Sequence, residues 1–173
     1  MATISRIGFG QVEPNHLSAQ RNGQIYGQLP AAADIAILEN GQFVKYDYAN
    51  GACNFTGAGE WMLVFNEVKL YDASWRESYK DFAMKKTSYD KGEMTPRVLK
   101  TMPGDIFTTN CLGVANTDGK ATVACGEYKV GDILSPNENG YLVVNEDADF
   151  AFQVVKVYTM PDGQAAVKVM RIK

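Results

Sequence analysis

The 173-residue chain is 21% charged and carries a formal net charge of −3 with no block of like charge. This excludes the dense basic footprint of nucleic-acid binders and of proteins held on anionic membranes. Such a length suits one domain able to bury roughly 70% of its unfolded surface. No run of about 18 apolar residues occurs and the start "MATISRIGFG" lacks a secretory signal's apolar stretch, so the sequence predicts a protein made in the cytoplasm with no membrane span.

The first element in chain order is an unusual polar stretch. Between Met1 and Pro30 only Arg6, Glu13 and Arg21 are charged, whereas Gln, Asn and Gly are plentiful and Phe9, Tyr26 and Leu29 punctuate them. No period of 2 or 3.6 persists, so the segment lacks a face to bury. Ordering it alone costs about 1–2 kcal/mol per residue of backbone entropy, which a few apolar contacts do not offset. Residues 1–30 are therefore expected to form an extended arm that needs a partner surface, with residues up to about Gly23 bonding to it. Ile7, Phe9 and Leu17 are the expected apolar anchors; His16, Arg21 and Tyr26 complete the candidate interface. The competing expectation is that the stretch folds back as an edge strand of its own domain. Gly8 and Gly10 form a G-x-G, but Glu13 stands where a dinucleotide fingerprint needs its third glycine.

From Ala31 the pattern changes to β. "DIAILENGQFVKYDYANG" holds two short runs punctuated by Asn40-Gly41 and Asn50-Gly51, a hairpin signal. Val44, Tyr46 and Tyr48 share one expected strand face, and Phe43, Lys45 and Asp47 the other. "WMLVFNEVKLY", Trp61 to Tyr71, reads as a further strand. In "SWRESYKDFAMKK", Trp75, Tyr79 and Phe82 fall on one helical face and Ser74 with Glu77 has the form of a capping box, so a short helix is expected over Ser74 to Lys85. After Pro96 six apolar runs alternate with Pro103-Gly104, Asp118-Gly119, Asn139-Gly140 and Pro161-Asp162-Gly163. That spacing predicts a small β-barrel or β-sandwich closed by a hairpin. The expected fold class is mainly β with one short helix. Residues 31–173 make the β-rich domain, with two lobes, 31–71 and 96–173, joined by a helical segment, 72–95.

Chemistry-bearing motifs are scarce. His16 is the single histidine and lies near no recognisable nucleophile motif; Cys53, Cys111 and Cys125 are widely spaced without a C-x-x-C. The three thiols read as reduced and mostly buried, too few for a structural zinc site. Glu146, Asp147 and Asp149 in "NEDADF" lack the glycine and terminal glutamate of a calcium loop, so a solvated loop is expected. The sequence thus predicts no catalytic residues, no cofactor and no metal.

Four passages carry a resemblance: "GQVEPNHLSAQRNGQIYGQLP", "LENGQFVKYDYANG", "PRVLKTMPGDIFTTN" and "YKVGDILSPNENGYLVV". Their layout resembles that of tailed-bacteriophage head auxiliary or decoration proteins. The resemblance implies a β-rich, non-enzymatic virion protein, made in the host cytoplasm, that stabilises the capsid by binding the major capsid protein shell and, by oligomerisation, copies of itself. No single residue's role carries over. Two other readings stay open, a carbohydrate-binding or host-attachment module of a virion, built on an exposed aromatic platform, and an enzyme with an unrecognised site.

Overall fold

The computed structural model describes residues 1–66, 82–86, 94–119 and 121–173. The fold is mainly β: strands are distributed over several sheets, none of which closes into a barrel, in a sandwich-like arrangement. A six-stranded antiparallel sheet runs in the order β13 (Leu142–Val144), β12 (Ile133–Pro136), β14 (Phe152–Thr159), β15 (Ala165–Arg171), β10 (Ile106–Thr109) and β2 (Val12–His16). A five-stranded sheet runs β3 (Ile25–Tyr26), β9 (Val98–Leu99), β7 (Met62–Val64), β5 (Phe43–Asp47) and β6 (Ala52–Asn54). Two small ribbons pair β1 (Ala2–Ile7) with β11 (Thr122–Tyr128) and β4 (Ile37–Leu38) with β8 (Met84–Lys85).

Alternation along the strands sorts side chains between two apolar cores. Phe43 faces the larger core with Leu63, Leu99, Phe107, Phe152, Val154, Val167 and Val169. There Phe43 and Phe152 rings lie 5.3 Å apart and Phe107 meets Phe152 edge-on at 5.5 Å, pairs worth about 0.5–1.5 kcal/mol each beyond their burial. Val44 and Tyr46 point the other way into the smaller core, with Leu38, Cys53, Met62, Met84 and Val98. The two faces of β5 are those expected from sequence: Tyr48 meets Tyr46 edge-on at 5.7 Å, while Lys45 lies over the Trp61 ring.

All six runs after Pro96 contain strands, and Gly104, Gly119, Gly140 and Gly163 each take positive φ in the turns between them. The closing hairpin is β14–β15, with a bulge between Val154 and Lys156. Strand pairing crosses between the two stretches: β9, from the later one, lies between β7 and β3 in the five-stranded sheet.

Three expectations change. Asn50-Gly51 does join a hairpin, β5–β6, but β4 and β5 do not pair across Asn40-Gly41. Instead, the Gly41 amide donates to Val64 O and Asn40 exchanges hydrogen bonds with the Asn66 backbone, so this turn is fastened to the end of β7. The helix expected over Ser74 to Lys85 lies outside the described residues up to position 81. Its last two positions form β8, because Met84 is drawn into the smaller core and its segment pairs with β4; Phe82 is half-buried in irregular chain.

The third change concerns the N-terminal stretch. It is extended but is no free arm: β1 pairs along its length with β11, and β2 pairs with β10 at the edge of the six-stranded sheet. Between β2 and β3 lies α1 (Ser18–Asn22), whose entry is held by Asp105, with Oδ1 accepting from the Ser18 amide at 2.9 Å. The helix ends at Gly23, left-handed at φ 68°. The partner surface that this polar stretch required is its own domain.

Candidate functional site

The six residues expected to form an interface divide between interior and surface. Phe9 and Leu17 are buried, the first against Gly119, where an added Cβ would fall 2.2 Å from the Phe9 ring. Ile7 is exposed, but its amide donates to Gln164 Oε1 beside the Val12–Thr109 end of β2, whereas His16 stands at the Ile106 end. The structure therefore brings together only His16 and Arg21, with Nη2 and Nε2 3.2 Å apart, while Tyr26, half-buried on β3, packs against the smaller core and meets the Tyr46 ring edge-on.

Around this pair the chain turns apolar groups in and polar groups out. Leu17 and Ala19 insert into the larger core, while Pro14, Asn15, His16, Gln20, Arg21, Asn22 and Gln28 are exposed. The result is an amide-rich ridge with one formal cation, on the stretch that joins β2 of the six-stranded sheet to β3 of the five-stranded sheet. Among the described residues β2 has β10 as its sole strand partner, so the ridge includes a sheet edge.

A second constellation escaped sequence reasoning. Arg6 and Glu39 form an ion pair at 2.7 Å with both side chains 0% exposed. The Glu39 carboxylate is held on all sides: Oε2 also accepts from the Gly10 amide at 2.7 Å, and Oε1 accepts from the Tyr141 hydroxyl at 3.0 Å and the Asn116 amide at 3.2 Å. Arg6 Nη2 donates to Val114 O at 3.1 Å. The Nη1 approach to Glu39 is an ion-pair contact rather than an aligned hydrogen bond, and Nε has no hydrogen-bond partner. Burial works against the guanidinium's charge, but the Glu39 carboxylate beside it favours the charged form and its pKa is raised. The Tyr141 hydroxyl is pushed well up by burial, reinforced by the Glu39 carboxylate it donates to. Cys111 itself is pushed up by burial, so its thiol stays neutral.

The signal for Arg6 was in the sequence: it stands two positions from Ile4 on a strand, and both point inward. Nothing local marked Glu39 as its partner, 33 positions on. A groove of about 320 Å³ opens beside this centre, lined in part by Ile35, Ile37 and Phe55 with Glu39, Gln42 and Tyr141 at one side. Its polar wall is already engaged, since Gln42 Oε1 accepts from the Glu39 amide and Gln42 Nε2 donates to Asn139 O. A carboxylate with both oxygens so occupied is suited to fixing structure rather than to taking a proton from a substrate.

All three cysteines are free and buried, and Glu146, Asp147 and Asp149 are exposed in the loop after β13. Among the described residues no three His, Cys, Asp or Glu side chains are grouped to hold a metal ion, and no helix is long and apolar enough to cross a membrane. Compared with protein-family models, with curated proteins and with solved structures, the chain matches none.

Proposed function

We propose that the chain is a non-enzymatic structural protein of a tailed-bacteriophage virion, made in the host cytoplasm, that decorates and stabilises the head by docking on the major capsid protein shell. The observation that carries this reading is the ridge: the most distinctive passage of the sequence is anchored by Leu17 and Ala19 and spends its polar groups outward. Amides bond to a neighbouring backbone in either direction, and one weak contact multiplied over many copies on a shell gives firm attachment. The occupied state of the Glu39 carboxylate favours the non-enzymatic half of the reading. The layout of the sequence supplies the identity of the partner.

The test is co-sedimentation of purified protein with heads lacking it. The ridge variant Gln20→Glu/Arg21→Glu/Asn22→Asp, altered only at exposed positions, is expected to keep the wild-type melting temperature and lose sedimentation with the heads. Undiminished binding would remove the ridge as the docking surface.

One observation favours a sugar-binding alternative. Tyr48 is 74% exposed and stands edge-on upon Tyr46, which in turn meets Tyr26 edge-on, with Asp47, Asn50 and Asn54 hydrogen-bonded beside it. An exposed ring next to amides and a carboxylate is the make-up of a glycan platform. Glycan binding abolished by Tyr48→Ala would support it.

A further inference from the structure

We propose that the outward face of the six-stranded sheet is a self-association surface that receives the acidic loop, residues 144–149, of a second copy of this chain. The face can be built from the strand register. Ile106 pairs with Met170, Met170 with Gln153, and Gln153 with Ile133, so these four side chains form a row across β10, β15, β14 and β12 on the side away from Phe107, Val169, Val154 and Leu134. All four are half-buried, three of them apolar.

Beside this row lies a polar cluster drawn from four strands. The Tyr158 ring reaches across β15, its hydroxyl hydrogen-bonding Glu13 Oε2 on β2 and approaching Thr108 Oγ1 at 3.3 Å. Lys156 and Lys168 pair directly across β14 and β15, their ammonium groups 5.4 and 5.6 Å from the centre of the same ring. Like charges set opposite on one sheet face are destabilising on their own. The one carboxylate in the cluster, Glu13, is engaged by Tyr158, and among the described residues neither lysine makes an ion pair. The face thus offers an apolar row with two lysines and a single carboxylate, Glu13, beside it, an excess of one positive charge among these groups.

The complement is on the same molecule. After β13, Glu146, Asp147 and Asp149 lie in exposed chain without ion pairs among the described residues. This loop leaves the sheet next to the row, since the Asn145 amide donates to Ile133 O at 2.9 Å. The lysine pair therefore flanks the middle of the row, on β14 and β15, and the acidic loop leaves at its β12 end. A second copy turned about a twofold axis that lies in the face, oblique to the row, sets each lysine pair against the partner's acidic loop with the two rows crossing, the self-complementary arrangement that an isologous contact requires. The inference does not depend on the capsid reading: it concerns this chain with itself.

Sedimentation equilibrium on the full chain tests it, over concentrations up to about 1 mM, the range in which weak self-association is measurable. The wild type is expected to dimerise, with affinity falling as salt is raised. Lys156→Glu, at an exposed position, and separately Glu146→Lys/Asp147→Lys, should each weaken dimerisation roughly tenfold or more, and mixing the two variants should give a heterodimer stronger than either homodimer. A monomeric wild type throughout this range, reversals without effect, or no preference in the mixture would overturn the proposal.

Discussion

At the scale of single residues, the account rests most heavily on Glu39. Its carboxylate is the only counter-charge for Arg6 among the described residues, so Glu39→Gln leaves a dry, unpaired guanidinium and is expected to cost about 3–5 kcal/mol in denaturant unfolding. Combining it with Arg6→Met should recover part of that loss, because an uncompensated charge is no longer buried. A cost below about 1 kcal/mol for Glu39→Gln would mean that water reaches the pair.

The thiols and buried tyrosines make a pH prediction whose sign follows from burial. Desolvation pushes Cys53 from its ordinary 9.0 up to about 11, and it pushes Cys111, Cys125, Tyr128 and Tyr141 upward as well. These groups ionise in the unfolded chain before they ionise in the native one. For Cys53, the stability present below about pH 9 is lost as pH rises toward about 11, and the others act in the same direction. Thermal melts should therefore show a falling melting temperature over that interval, and a flat or rising profile would contradict the dry environment assigned to these groups. The same burial predicts that a thiol reagent labels none of the three cysteines until the protein unfolds.

At the scale of elements, the turns were legible and the partnerships were not. Glycine at a turn declares itself because positive φ is costly for any side chain, so Gly104, Gly140 and Gly163 marked strand ends correctly. Asn40-Gly41 made the same local signal, yet its backbone is bonded to Val64 and its neighbour Glu39 is pulled inward by Arg6, and neither fact is local. The N-terminal stretch misled for a related reason. Its polarity is genuine, but Ile4 and Arg6 on β1, Phe9 in the turn after it, Leu17 at the entry to α1 and Ala19 within it belong to different elements and so never declare a common face. The candidate site was half visible: His16 and Arg21 were read as exposed interface residues, whereas Phe9 and Leu17 looked equally available and are core.

Two element-scale predictions follow from the packing. Deleting residues 2–23 removes β1, β2 and α1 together, so it should abolish or greatly lower the cooperative melt; an unchanged melting temperature would restore the free arm. Gly140, at φ 77°, sits where the turn before β13 meets β5: the Phe43 amide donates to Gly140 O at 2.7 Å, and a Cβ there would lie 2.0 Å from Phe43 O. Gly140→Ala is therefore expected to destabilise by more than about 1 kcal/mol, measured by denaturant unfolding, while Gly131→Ala, at a left-handed position with open space around it, should cost less.

At the scale of the whole molecule, the described residues pack into two apolar cores with the Arg6–Glu39 pair buried among them, and their distinguishing chemistry lies on the outside, in the amide ridge, the lysine-bearing sheet face and the acidic loop. Such a division suits a protein that works by docking. The ridge and the sheet face meet at the β2–β10 edge, where His16 pairs with Ile106 and Thr108 donates to Asn15. The most direct test of the central claim is electron microscopy of tailed-phage heads assembled with and without this chain, together with its copy number per head. The account predicts a β-rich unit on the outer shell, in a number set by the capsid lattice and contacting it through residues 14–28, and bare shells when the chain is omitted. Heads that lack the protein when it is supplied, or density joined to the shell through the groove beside Glu39, would contradict it.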